Sequence, residues 1–139
     1  MPFTTTRTIL FGDCDPAGII YTPRVAFFVV EAVQEFTSAI LGGPAIREIF
    51  AMDISPPARA LSIEYLAPMT WDDQIIISVT PGEPKTTSFT FLLSATGRNG
   101  EEVFRASMTQ VCVSPETKRP VAVPERLARA LALVRGDSF

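Results

Sequence analysis

FGDCDPAGIIYTPRVAFFVVEAVQEFTSAIL, residues 11–41, is the stretch whose reading decides the fold. Asp13 and Asp15 stand one residue apart in a turn built from Gly12, Pro16, Ala17 and Gly18. The chain then passes through Thr22-Pro23 into an apolar segment that stops at Gly42-Gly43-Pro44. Thr22 suits an N-cap, whose hydroxyl accepts a bond from an amide of the first turn. Pro23 suits the first helical position, where its missing N–H costs nothing. Gly-Gly-Pro is a stop signal. By propensity VAFFVV reads as a strand. Length and the bounding signals decide for a helix, because Pro23 to Leu41 is nineteen residues and far exceeds a usual strand. Glu31 is the only polar side chain between Val25 and Val33, so the spacing predicts a central helix, apolar on nearly every side and wrapped by something else. Glu31, Gln34 and Glu35 argue against membrane insertion.

Outward from that helix, the remaining elements are strands. Phe3 to Phe11 alternates loosely and reads as a first strand. Pro44 to Met52 holds a short helical turn. Ala58 to Leu66 has period two, with Leu61, Ile63 and Tyr65 on one face. Gln74 to Thr80 and Ser88 to Thr96 follow, the latter with Phe89, Phe91, Leu93 and Ala95 aligned. Gly97 to Gly100 is a hairpin turn before a last strand, Val103 to Val113. Glu125 to Val134 has apolar residues at helical spacing. One apolar helix with four consecutive strands joined by tight turns predicts an α+β arrangement, a sheet curled around the helix.

At 139 residues the chain is long enough for a single domain with a sizeable core. Its net charge of −3 and its lack of any Lys/Arg cluster give no reason to expect nucleic acid. MPFTTTRTIL does not read as a secretory signal, and Cys14 and Cys112 have no metal-like spacing, so a reducing cytoplasm is the expectation. There is no histidine. That removes Ser-His-Asp and Cys-His arrangements and any histidine general base.

The segment F-G-D-C-D-P-A-G-I-I-Y-x-P, Phe11 to Pro23, resembles the signature of the 4-hydroxybenzoyl-CoA thioesterase family of hotdog-fold proteins. The resemblance implies one hotdog domain over residues 1–139, with about five antiparallel strands wrapped around the long helix. It implies homodimers or homotetramers that cleave acyl-CoA thioesters without metal or cofactor. It places the catalytic carboxylate on Asp15 and the N–H that polarises the thioester carbonyl on Thr22. Lys85 is what remains of the family's basic cluster for CoA phosphates, and Val30 stands where relatives often carry a polar residue. Chemistry agrees with this assignment: helix N-terminal amides stabilise a developing oxyanion. Gly18 lets backbone approach a substrate. With no histidine, a carboxylate is left as nucleophile or base. Asp13, following Ile9-Leu10-Phe11, reads as structural, and Cys14 as a small buried residue. Two alternatives stand beside the thioesterase. A hydratase of acyl thioesters relies on histidine, which the chain lacks. A non-catalytic acyl-CoA-binding or ligand-sensing protein needs no carboxylate in the loop.

Overall fold

The structure, a computed structural model, describes residues 2–137. Strands β1 (Phe3–Thr8), β2 (Ala58–Tyr65), β3 (Gln74–Pro81), β4 (Ser88–Thr96) and β5 (Glu102–Val111) form one antiparallel sheet in the order β1-β3-β4-β5-β2. Helix α1 (Arg24–Leu41) lies against its inner face, followed by α2 (Ala45–Ala51), with α3 (Glu125–Asp137) at the end of the chain. The hotdog arrangement is the one expected.

Helix α1 overrides its strand-like composition because its face fits the sheet. Val25, Phe28, Val29, Ala32, Val33, Phe36 and Leu41 are buried at helical spacing. They meet alternate residues of the central strands, among them Ile75, Ile77, Val79, Phe91 and Leu93. Phe36 contacts Phe3 and Phe91 edge-on, each with ring centroids 5.5 Å apart. Such pairs add about 0.5–1.5 kcal/mol each beyond area burial. The helix ends where Gly42 takes the left-handed conformation (φ 74°) and returns its N–H to the Ser38 carbonyl at 3.0 Å.

The helix is not buried all round. Phe27 and Val30 are 55% and 47% exposed. Val30 lines a cavity with Pro56 and Pro57, which lead into β2, and Phe27 stands one helical turn before it. β2 is an edge strand on which every residue but Ile63 is exposed. The alternation of Leu61, Ile63 and Tyr65 is therefore real, but the face it builds is only half covered. The opposite edge, β1, shows a polar FTTTRT instead.

Chain direction fixes two ends of the molecule. The near end holds the helix start, Thr8, Tyr65 and Gln74; the far end holds Phe3, Ala58, Pro81 and α2. Among the described residues no single helix is long and apolar enough to cross a membrane.

Candidate active site in the loop before α1

Residues 9–23 form a hydrogen-bonded loop at the near end of the sheet. The first strand stops at Thr8, and a single 3-10 turn, Phe11–Asp13, replaces the extended continuation expected to Phe11. The loop then doubles back on itself. Tyr21 N–H donates to the Asp13 carbonyl at 2.9 Å, and Asp15 N–H donates to the Ile19 carbonyl at 3.0 Å. Ile20 N–H donates to the Met69 carbonyl at 2.8 Å, which ties the loop to the segment before β3.

Asp13 and Asp15 have different surroundings. Asp13 is 2% exposed. Its Oδ2 accepts the Leu10 N–H at 2.8 Å and its Oδ1 accepts Arg24 Nε–H at 2.7 Å. Burial alone pushes its carboxyl up, but those two hydrogen bonds and the charges of Arg24 and Arg7 together hold it below its ordinary value of 3.8. Arg24 is the first residue of α1, so this carboxylate fastens the loop to the helix. Asp15 is half-buried, and its Oδ1 accepts the Ala17 N–H at 2.8 Å in an Asx turn. Its other oxygen has no protein partner among the described residues.

Gly18 occupies the tip with φ 84°, where a Cβ would sit 3.4 Å from the Trp71 ring and the backbone strain would remain. Thr70 Oγ1 donates to the Gly18 carbonyl at 2.6 Å. Trp71 also lies 5.9 Å from the exposed Phe11 ring, centroid to centroid.

The helix start departs from the expected cap. Thr22 makes no side-chain cap, and the residue flanking the helix is Pro23, itself in helical geometry (φ −66°, ψ −15°). The first amides turn back three residues instead: Arg24 N–H donates to the Tyr21 carbonyl at 2.8 Å, and Ala26 N–H to that of Pro23 at 3.2 Å. Tyr65, at the end of β2, donates its phenol to the Thr22 carbonyl at 2.5 Å. Burial pushes that phenol up, so it stays a donor at neutral pH. The Thr22 N–H, exposed at the positive end of α1, has no acceptor among the described residues.

A model of the thioesterase-like superfamily matches residues 9–131. The chain belongs to that superfamily. The 1,4-dihydroxy-2-naphthoyl-CoA hydrolase of Nostoc punctiforme is 26% identical over 140 residues, covering 99% of this chain and 92% of the relative. A 1,4-dihydroxy-2-naphthoyl-CoA thioesterase from Synechocystis superposes with a TM-score of 0.86 at 20% identity, covering 95% of this chain and 96% of the other. A 4-hydroxybenzoyl-CoA thioesterase mutant complexed with 4-hydroxybenzoyl-CoA does so at 0.83 and 22% identity, covering 93% and 97%.

Within this thioesterase-like fold, Asp15, Gly18 and Thr22 share one loop, as the sequence predicts. Lys85 does not join them. It follows β3 at the far end, where its N–H donates to the Ser88 carbonyl, a strand length of about 25 Å from the loop in the same chain. Glu31 faces β1, where it pairs with Arg7 beside Phe28. Cys14 is half-buried rather than buried. Burial and the neighbouring Asp13 charge push its thiol up, so it is a poor nucleophile at neutral pH. Among the described residues no three Cys, Asp or Glu side chains gather to hold a metal. The sequence reading missed Arg24 and Tyr65, which hold the loop and the helix start. Neither carries a spacing signal, because their partners lie eleven and forty-three residues away.

Proposed function

We propose that the protein hydrolyses acyl-CoA thioesters, with Asp15 as the reacting carboxylate and the Thr22 N–H as the donor that polarises the thioester carbonyl. The observation that carries this reading is the pairing, in one loop, of a carboxylate oxygen and a helix-start amide that both lack a protein partner among the described residues. The thioester oxygen accepts from the Thr22 N–H, where negative charge develops as the acyl carbon is attacked. Asp15 either attacks that carbon or takes a proton from the attacking water. CoA leaves as the thiol, and water supplies the oxygen of the released acid. The names of the relatives support CoA thioesters as the substrate class. Thiol release from a panel of acyl-CoAs tests the reading; no turnover of any of them contradicts it.

The same proposal closes the molecule as a homodimer through β2. That edge leaves its backbone groups unpaired beside exposed Leu61, Tyr65, Phe27 and Val30. A two-fold axis through the middle of β2 sets each Ala58 end beside the partner's Tyr65 end. Lys85, remote from Asp15 in its own chain, then lies toward the partner's loop, where a CoA phosphate would meet it. Sedimentation at micromolar concentration is expected to show a dimer or a tetramer; a monomer contradicts the assembly.

Thr22→Ala separates amide from side chain. The hydroxyl caps nothing, so stability is expected to change by less than about 0.5 kcal/mol. Turnover is expected to stay within about threefold of wild type, far from the hundredfold or larger loss of a missing oxyanion donor. A hundredfold loss in a folded variant would give the side chain a part in the chemistry.

A further inference from the structure

An amide serves as an oxyanion donor only when its peptide plane is held still, and the two sides of Thr22 are held in different ways. The Thr22 N–H belongs to the Tyr21–Thr22 peptide, whose other end, the Tyr21 carbonyl, accepts the Arg24 N–H at 2.8 Å. A peptide whose carbonyl accepts a hydrogen bond is polarised and donates more strongly from its N–H. Tyr21 in turn donates its own N–H to the Asp13 carbonyl at 2.9 Å. Backbone alone fixes this side.

The following side needs a side chain. Thr22 is joined to Pro23, whose nitrogen carries no hydrogen, so the Thr22 carbonyl is the only hydrogen-bonding handle on that peptide. Among the described residues its backbone donor is the Val25 N–H at 3.4 Å, beyond the usual ~2.7–3.2 Å. The short bond comes from the Tyr65 phenol, at 2.5 Å. Tyr65 reaches it from a rigid base: it pairs with the fully buried Phe104 of β5, and the next residue, Leu66, donates its N–H to the Val103 carbonyl at 3.0 Å. Tyr65 itself is 42% exposed, so water would satisfy its hydroxyl in place of Thr22, and the bond adds little to folding. We propose that Tyr65 is a positioning residue for thioester hydrolysis: its hydroxyl fixes the Thr22–Pro23 peptide and thereby aims the Thr22 N–H at the thioester oxygen. This rests on the thioesterase reading above and adds to it the side chain that holds the oxyanion donor in place.

Tyr65→Phe removes the hydroxyl and keeps the ring. With an acyl-CoA that the wild type hydrolyses, kcat is expected to fall about ten- to a hundredfold, the scale of a misplaced catalytic group. KM is expected to stay within about twofold, because the interaction is needed in the transition state, and Tm to move by a few degrees at most. A kcat near wild type overturns the proposal. So does a raised KM at unchanged kcat, which would make Tyr65 a substrate contact, or a lowered Tm with unchanged kcat per folded molecule, which would make it a structural tie. Nitrogen-15 relaxation of the Thr22 amide reads the same point without turnover, in protein labelled on threonine; its resonance is the one that Thr22→Ala removes. The amide is expected to be as rigid as a helix in the wild type, with an order parameter of about 0.85, and to drop below about 0.6 in Tyr65→Phe. Equal order in the two proteins overturns the proposal. A wild type that hydrolyses no thioester, but whose Thr22 amide loses order in Tyr65→Phe, would keep Tyr65 as the holder of that amide and remove the thioesterase reading alone.

Discussion

Asp15→Asn is expected to lower kcat by two to four orders of magnitude, roughly the range of a lost general base or nucleophile, while leaving the fold intact. The structure makes this substitution clean. Asp15 Oδ1 accepts the Ala17 N–H, and the asparagine carbonyl can keep that bond, so the turn survives. What is lost is the charge and the oxygen that has no protein partner among the described residues. An amide neither attacks a thioester carbonyl nor takes a proton from water. Binding of acyl-CoA is expected to persist or tighten, because a negative charge beside the thioester oxygen is gone. Steady-state thiol release and circular dichroism on the same preparation check both parts. Near-normal turnover would sink the assignment.

Asp13→Asn is expected to do the reverse, costing stability before chemistry. Each oxygen of the buried carboxylate faces a donor, Arg24 Nε–H on one side and Leu10 N–H on the other. Whichever way the asparagine amide turns, its NH₂ confronts one of them. Hydrogen bonds to a charged group are worth about 1.5–3 kcal/mol each, so a loss of about 2–3 kcal/mol is expected. For a domain of this size that lowers Tm by roughly 6–12 °C. The pH dependence follows from the lowered carboxyl of Asp13. A depressed group stabilises the fold above its unfolded value and loses that contribution as pH falls through the folded value. Wild-type Tm should therefore fall more steeply than the variant's between about pH 5 and pH 2. Parallel curves would mean that the Asp13 pair contributes nothing.

Local chemistry made α1 legible. Pro23 and Gly42 bound an apolar run too long for a strand, and the left-handed Gly42 ends it as its composition suggests. The shared loop of Asp15, Gly18 and Thr22 was legible because all three lie within eight residues. What the sequence hides is set by tertiary partners. Pro23 continues the helical geometry outward, so the first amides close on backbone carbonyls and the Thr22 hydroxyl has no cap to make. Tyr65 reads as one of three alternating apolar residues, yet its phenol is spent on Thr22. The alternation of β2 signals a half-buried strand; sheet order alone shows that it is an edge. Lys85 resembles a phosphate ligand by position in the chain, and strand direction carries it to the far end.

Single-turnover hydrolysis, with enzyme in excess over one acyl-CoA and quenched in time, tests the central claim most directly because it separates chemistry from binding and release. Wild type and Asp15→Asn should bind the same amount of acyl-CoA. The account predicts that free CoA then appears at least a hundredfold more slowly with the asparagine variant, on the scale of a lost catalytic base. Equal rates of CoA release from the two proteins would contradict it.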